Sequence, residues 1–325
     1  MTTKPIKINI LGDASSLNRT LATTKGKLGA FGKAAGVAGV AAVAGLAFAA
    51  VKIGQQSEQI TAELVKGTGA SGDALKALED DVKRTLSSVP ESGEAVAATL
   101  AEVNTRFGLT GDALSELTES TLDFARLTGQ DATEAVGALD SAMELFGEDA
   151  GTAEEVMGDF LRISQATGIS VGELEGALQK QGGALSALGF NLEESTALLG
   201  AMGAEGVSLR KAGSGIEYFT DQMLAAGKDP RVEWDLLQES IQAAESDTEA
   251  AALAAEAFGP SGLAMVESIR SGSLELSGLM GEGTGLIAEQ TAATATLGEK
   301  FAEMGNKILV MVMPVVEDLF DAFSR

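Results

Sequence analysis

Residues 93–147 read GEAVAATLAEVNTRFGLTGDALSELTESTLDFARLTGQDATEAVGALDSAMELFG. Apolar side chains recur at helical spacing in three successive blocks. Val96, Leu100, Val103 and Phe107 are spaced 4-3-4, Leu114, Leu117, Thr121 and Phe124 are spaced 3-4-3, and Val136, Leu139, Met143 and Phe146 repeat 3-4-3. Each set lies along one side of a helix and must be buried against a neighbour. Between the blocks stand Gly111 and Gly129, each beside a residue able to cap a helix. Short amphipathic helices joined by glycine turns are therefore expected, rather than one rod.

The same rhythm extends from about residue 55 to 226. Gly72, Gly93, Gly111, Gly129, Gly151, Gly168, Gly189 and Gly206 follow one another at 17 to 22 residues, so alternate members are 36 to 40 apart. That is the length of a helix–turn–helix unit, as in helical solenoids. Asp131 with Glu134, Thr152 with Glu155, Ser170 with Glu173 and Asn191 with Glu194 fit or resemble the capping box, in which side chains at the helix start satisfy the free backbone N–H groups. Asp229-Pro230 breaks the chain, a helical pattern fills 231–257, and Gly259-Pro260 stops it. Residues 271–285 are rich in glycine and read as a hinge. From Leu286 one long helix is expected, amphipathic at first and strongly apolar over 308–316.

Upstream, Ile6-Lys7-Ile8-Asn9-Ile10 alternates as a short strand does. Residues 34–51, AAGVAGVAAVAGLAFAAV, then form 18 consecutive positions without a polar side chain, between Lys33 and Lys52. As a helix the run would span roughly 27 Å at about 1.5 Å per residue, close to the thickness of a bilayer's hydrocarbon core. Half of it is alanine, which favours insertion weakly, and its small residues equally suit close helix packing. Val37, Val40, Val43, Leu46, Phe48 and Val51 are its larger side chains, and mark a candidate membrane or self-association helix. The expected fold class is all-α: a glycine-punctuated multi-helix bundle or helical solenoid, with a short N-terminal strand, an apolar helix and a long C-terminal helix. The expected division is a basic segment at 1–33, the apolar helix at 34–54, a helical core at 55–270, the hinge at 271–285 and the C-terminal helix at 286–325.

Composition removes much chemistry. The 325 residues contain neither histidine nor cysteine, which excludes imidazole bases, thiol nucleophiles, disulfides and the usual zinc and iron–sulfur sites. Net charge is −24. It is unevenly spread: residues 1–33 hold six basic side chains and one acid, whereas the remaining 292 hold 17 basic and 46 acidic. The acidic body argues against specific nucleic-acid binding, and the basic head, with Phe31 its one aromatic, offers no base-stacking platform. Gly67-Thr-Gly-Ala-Ser-Gly72 matches a dinucleotide glycine pattern but follows a helical stretch, so it reads as a turn. Ser208-Leu-Arg-Lys211 is a helix start rather than a nucleophile motif, and no acid pair has the spacing of a catalytic couple. No catalytic residue, metal ligand or cofactor site is assigned, and an enzyme is not expected.

Three stretches together resemble phage tail tape measure proteins: the head IKINILGDASSLNRTL (residues 6–21) with the Ala/Gly run behind it, residues 93–147, and residues 166–216 (ATGISVGELEGALQKQGGALSALGFNLEESTALLGAMGAEGVSLRKAGSGI). The resemblance implies a structural virion protein that sets tail length, occupies the tube lumen and leaves ahead of DNA to assist its passage into the host. The implied partners are further copies of itself (a homo-oligomer, for instance a trimer), tube and tail-tip proteins, a tail assembly chaperone and the host membrane. The implied locations are the host cytoplasm during assembly, the virion tail, and the host envelope on infection. Even fully helical, 325 residues would reach roughly 490 Å, and the glycine-punctuated body lacks sustained heptads. Any coiled-coil ruler is thus expected mainly beyond residue 286. An alternative from another class is a membrane-active translocated protein, such as a pore former or secreted effector, suggested by the 34–51 run and the apolar C-terminal helix.

Overall fold

The structure, a computed structural model, describes residues 41–324 except 273, 275 and 282. The expected strand at 6–10, the basic head and residues 34–40 lie outside the described residues, as do Val37 and Val40. Among the described residues every regular element is a helix: α1 Ala41–Thr68, α2 Gly72–Leu86, α3 Gly93–Phe107, α4 Gly111–Thr128, α5 Ala132–Phe146, α6 Ala153–Thr167, α7 Val171–Ala187, α8 Leu192–Ala204, α9 Leu209–Ala225, α10 Pro230–Ala243, α11 Asp247–Phe258, α12 Gly262–Arg270, α13 Leu286–Thr294 and α14 Leu297–Ser324. Short 3-10 turns precede α6 and α12, and a third covers Leu276–Gly278.

Packing follows the glycine rhythm. From α1 to α12 each helix touches the next, and from α1 to α7 each also touches the one after that. The odd helices α1, α3, α5, α7, α9 and α11 therefore form one row, and α2, α4, α6 and α8 a second row beside it. This is the solenoid alternative, and the 36-to-40-residue interval is the step from a helix to its neighbour in the same row. The three stripes that announced the fold face inward. Val96, Leu100, Val103, Leu114, Thr121, Phe124, Val136, Leu139 and Met143 are all buried, within one continuous hydrophobic core that runs from Ile60 to Met313.

Helix starts obey local chemistry. Ser170 and Asn191 form complete capping boxes with Glu173 and Glu194, and Asp131 accepts from the N–H groups of Thr133 and Glu134. Thr152 does not cap α6. The 3-10 turn before it holds Thr152 in the right-handed helical region, and Asp149 caps that turn instead. Gly129, at φ 73°, takes the left-handed turn that ends α4, which a side chain would strain. The turn at 69–71 separates α1 from α2, and Asp229 caps α10 with Pro230 in its first turn.

Three expectations about boundaries need correction. The helix that begins in the apolar run does not end at residue 54; α1 continues to Thr68, with Ile60 and Leu64 buried in the core. The pattern at 231–257 is two helices, because Ser246 caps a new start at Asp247 through Glu249 N–H. The long C-terminal helix is also two, because Thr296 and Glu299 cap each other reciprocally, with Thr296 N–H donating to Glu299 and Glu299 N–H to the Thr296 hydroxyl.

The C-terminal arm retraces the second row in reverse. The 276–278 turn lies on α8, α13 on α6 and α4, and α14 on α2 and α1. At the far end of the rows, Trp234 is 2 % exposed and sits in a ring cluster with Phe190, Phe219 and Phe258, at 5.6–5.9 Å between centroids. Arg231 lies 4.1 Å over the Phe190 ring and pairs with Glu194 at 3.1 Å. These contacts fix α9, α10 and α11 to the start of α8.

Candidate interaction surface

Every helix of the second row from α2 to α6 carries the same short pattern on the side toward its neighbours: an aspartate followed three residues later by an arginine. These are Asp81/Arg84, Asp123/Arg126 and Asp159/Arg162. One helical turn brings the two charges together, at 3.2, 2.8 and 2.8 Å. Each arginine also reaches a second acid on another element. Arg84 meets Asp112 of α4 at 2.8 Å, Arg126 meets Glu299 of α14 at 3.0 Å, and Arg162 meets Glu193 of α8 at 2.9 Å. The pairs thus tie neighbouring helices of the row together, and at Arg126 they tie the arm to the row.

Further contacts hold the arm in place. Gly281 N–H donates to the Glu193 carboxylate at 2.9 Å. Gly283 lies on α6 so closely that a Cβ there would come within 2.7 Å of Asp159 N and Oδ1, and the facing Gly158 is equally confined by Gly283. Gln165 and Gln290 exchange two amide hydrogen bonds, at 2.6 and 2.9 Å. Asn306 Nδ2 donates to the carbonyls of Val89 and Glu91. Within the glycine-rich stretch, read as a hinge from its composition, Gly281 and Gly283 lie against the body.

Two buried carboxyls are shifted. Burial pushes Asp159 up to about 6, with Glu193 adding repulsion, although Arg162 stands beside it and opposes the rise. Burial pushes Glu175 on α7 up to about 7, opposed by the amide of Gln130, which donates to it at 2.6 Å. Glu175 lines a cavity of about 710 Å³ together with Asp131, Glu134, Ser141 and Gln179. Glu119 on α4 is raised too, first by burial, then by Asp123, with Glu303 of α14 contributing. Among the described residues no group of three or more acids is placed to hold a metal ion.

The most distinctive surface lies on α14. Asn306, Met313 and Val316 face the body, and Met313 and Val316 are buried. On another side Leu297, Phe301, Met304, Ile308 and Met311 stand exposed at 76, 66, 49, 43 and 68 %. The apolar character of 308–316 is plain in the sequence, but the helix carries two apolar stripes, one used and one bare. The signal was present, since 297, 301, 304, 308 and 311 follow 4-3-4-3. Of the residues marked in the Ala/Gly run, Val43, Leu46, Phe48 and Val51 fall on α1, and their side chains lie outside the described residues. Among the described residues no helix is long and apolar enough to cross a membrane.

A two-row helical repeat with an arm strapped along one row, and an apolar seam as its most distinctive surface, defines a helical scaffold. Comparison with known proteins places it further. The family described as phage-related minor tail protein matches residues 79–242, from within α2 to the end of α10 and just over half of the chain. The chain belongs to that family. Searches of curated proteins and of solved structures return no match. Membership gives the chain a structural role in a phage tail, a place in the virion tail, and other tail components as its associates.

Proposed function

We propose that the chain is a tape measure protein, or a portion of one, that sets tail length during assembly, occupies the tube lumen and is released to assist DNA passage into the host. The observation that carries this reading is where the family match falls. Residues 79–242 include the two stretches, 93–147 and 166–216, in which glycines, caps and apolar register together resemble the tape measure family. The basic head and Ala/Gly run before them add the family's N-terminal pattern. Self-association, contact with tube and tail-tip proteins, handling by an assembly chaperone, transit through the host cytoplasm and entry into the host envelope belong to the same reading.

The folded body divides the work. Its repeat helices of 13 to 18 residues are only about 20–27 Å long, so the compact rows act as a head and not as a ruler. Length would be counted by extended helix; among the described residues α1 and α14, at 28 residues each, are the longest, and α14 is the one that lies beyond the repeat. Removing whole helical turns from α14 in the phage gene and measuring tails by electron microscopy tests the ruler. Tails shortened in proportion are expected, and tails of unchanged length would refute a ruler role for this segment. The membrane-active alternative rests on residues 34–51, and flotation of the chain with liposomes, with and without that run, tests it.

A further inference from the structure

We propose that the bare stripe of α14 is a pairing seam on which a second copy of this chain docks, helix against helix. The inference gives the self-association suggested above a surface, and it stands or falls independently of any ruler role. Leu297, Phe301, Met304, Ile308 and Met311 occupy alternating three- and four-residue steps, the spacing that keeps one seam facing a partner helix. Five large side chains exposed at 43–76 % bare on the order of 600 Å², at the top of the range for a monomer's largest apolar patch. Two copies meeting there would cover on the order of 1,200 Å², the lower end of specific, stable interfaces.

Charge favours the same occupant. The chain carries −24, and copies of it repel. Along 297–312, however, Glu299 and Glu303 are balanced by Lys300 and Lys307. Glu299 is turned to Arg126, and Glu303 pairs with Lys307. The stripe therefore lies on a locally neutral segment, where two acidic bodies approach with little penalty. Gly298 and Gly305, seven residues apart, lie along one flank of it. A Cβ at Gly305 would meet nothing within 4 Å and one at Gly298 only the Thr296 hydroxyl, so that flank does not obstruct an incoming helix. The opposite side of α14 is held by Asn306, Met313 and Arg126–Glu299, so the seam is presented rigidly and loses little freedom on pairing.

A symmetric pair places Met304, the middle of the five, opposite its own copy in either helix direction. Since the chain has no cysteine, Met304→Cys introduces a unique thiol. Mild oxidation is expected to give a covalent dimer, whereas Leu224→Cys, exposed at 53 % on α9, stays monomeric. Sedimentation velocity of the full chain should show a concentration-dependent dimer, weakened at least 100-fold by Phe301→Glu with Ile308→Glu. These positions are exposed, so the double variant keeps its far-ultraviolet circular dichroism. A wild-type chain that remains monomeric throughout the micromolar range overturns the proposal. So does a dimer that neither responds to the double variant nor cross-links at residue 304. A monomer that binds phosphatidylglycerol–phosphatidylcholine vesicles only with the stripe intact also overturns it, and assigns the seam to a lipid surface.

Discussion

Replacing Glu175 by glutamine should make the protein more stable at neutral and alkaline pH and leave it unchanged in acid. Glu175 is 9 % exposed, and the groups acting on its carboxyl are its own burial and the Gln130 amide. The Thr128 hydroxyl lies 2.9 Å from Gln130 Oε1 and fixes that amide, which leaves Gln130 Nε2 directed at Glu175. The carboxyl's pKa rises from 4.5 to about 7 on folding, so the folded state holds the proton more tightly than the unfolded chain. The stability gained from that proton is complete below pH 4.5, declines as pH rises through the window to 7, and is absent above it. At about 1.4 kcal/mol per pH unit, a rise of roughly 2.5 amounts to about 3.5 kcal/mol at most. Glutamine is neutral throughout and still accepts the Gln130 hydrogen bond through its carbonyl. Urea unfolding of wild type and Glu175→Gln, followed by circular dichroism from pH 4.5 to 8, isolates the term as a difference between the two proteins. The variant should draw ahead steadily through the window and hold its lead above pH 7. A constant difference, or a wild type that gains on the variant as pH rises, would refute the assignment of burial as the dominant cause.

Two further contrasts test the packing. Gly262→Ala would drive a methyl into the Ala254 carbonyl across the α11–α12 turn and should cost about 2 kcal/mol or more in thermal unfolding, whereas Gly176→Ala meets nothing within 4 Å on α7 and should gain about 0.5–1 kcal/mol. Asn191→Ala removes a complete capping box and should cost about 1 kcal/mol, while Thr152→Ala, at a residue that makes no cap, should cost a few tenths in the same urea titrations.

The succession of short helices was legible because it is written locally, whereas the choice between bundle and solenoid was not. Apolar spacing within a helix and glycine between helices are short-range signals, and Val96 to Met143 needed nothing more to declare which sides are buried. The capping boxes at Ser170 and Asn191 were visible for the same reason. The two missed breaks carried that signal too: Ser246 with Glu249 and Thr296 with Glu299 have the capping spacing, and continuous apolar character around them masked it. The arm was not legible. Gly283 is a seat only because Gly158, 125 residues earlier, leaves room for it, and glycines that read as freedom in a linear pattern serve close approach in three dimensions. The aspartate–arginine pairs at 81, 123 and 159 recur at 42 and 36 residues, near the helix-pair interval. They are a repeat of identity inside a repeat of pattern. Their cross-links to Asp112, Glu193 and Glu299 depend on which helices the fold sets side by side. The bare stripe of α14 became distinct from the buried one only once the body was seen to occupy the other side.

The arm's return along the second row is the central structural claim, and the Gln165–Gln290 pair measures it most directly. With no native cysteine, Gln165→Cys with Gln290→Cys forms the one reactive pair in the chain. A short bismaleimide added to dilute protein should link the two thiols within one molecule, giving a monomer that migrates faster on a denaturing gel and whose arm resists proteolysis. Adding Gly283→Ala, which would press a methyl against Asp159 N, should reduce that product. Absence of the intramolecular link in the double-cysteine chain, or linkage between molecules alone, would contradict an arm strapped along its own body.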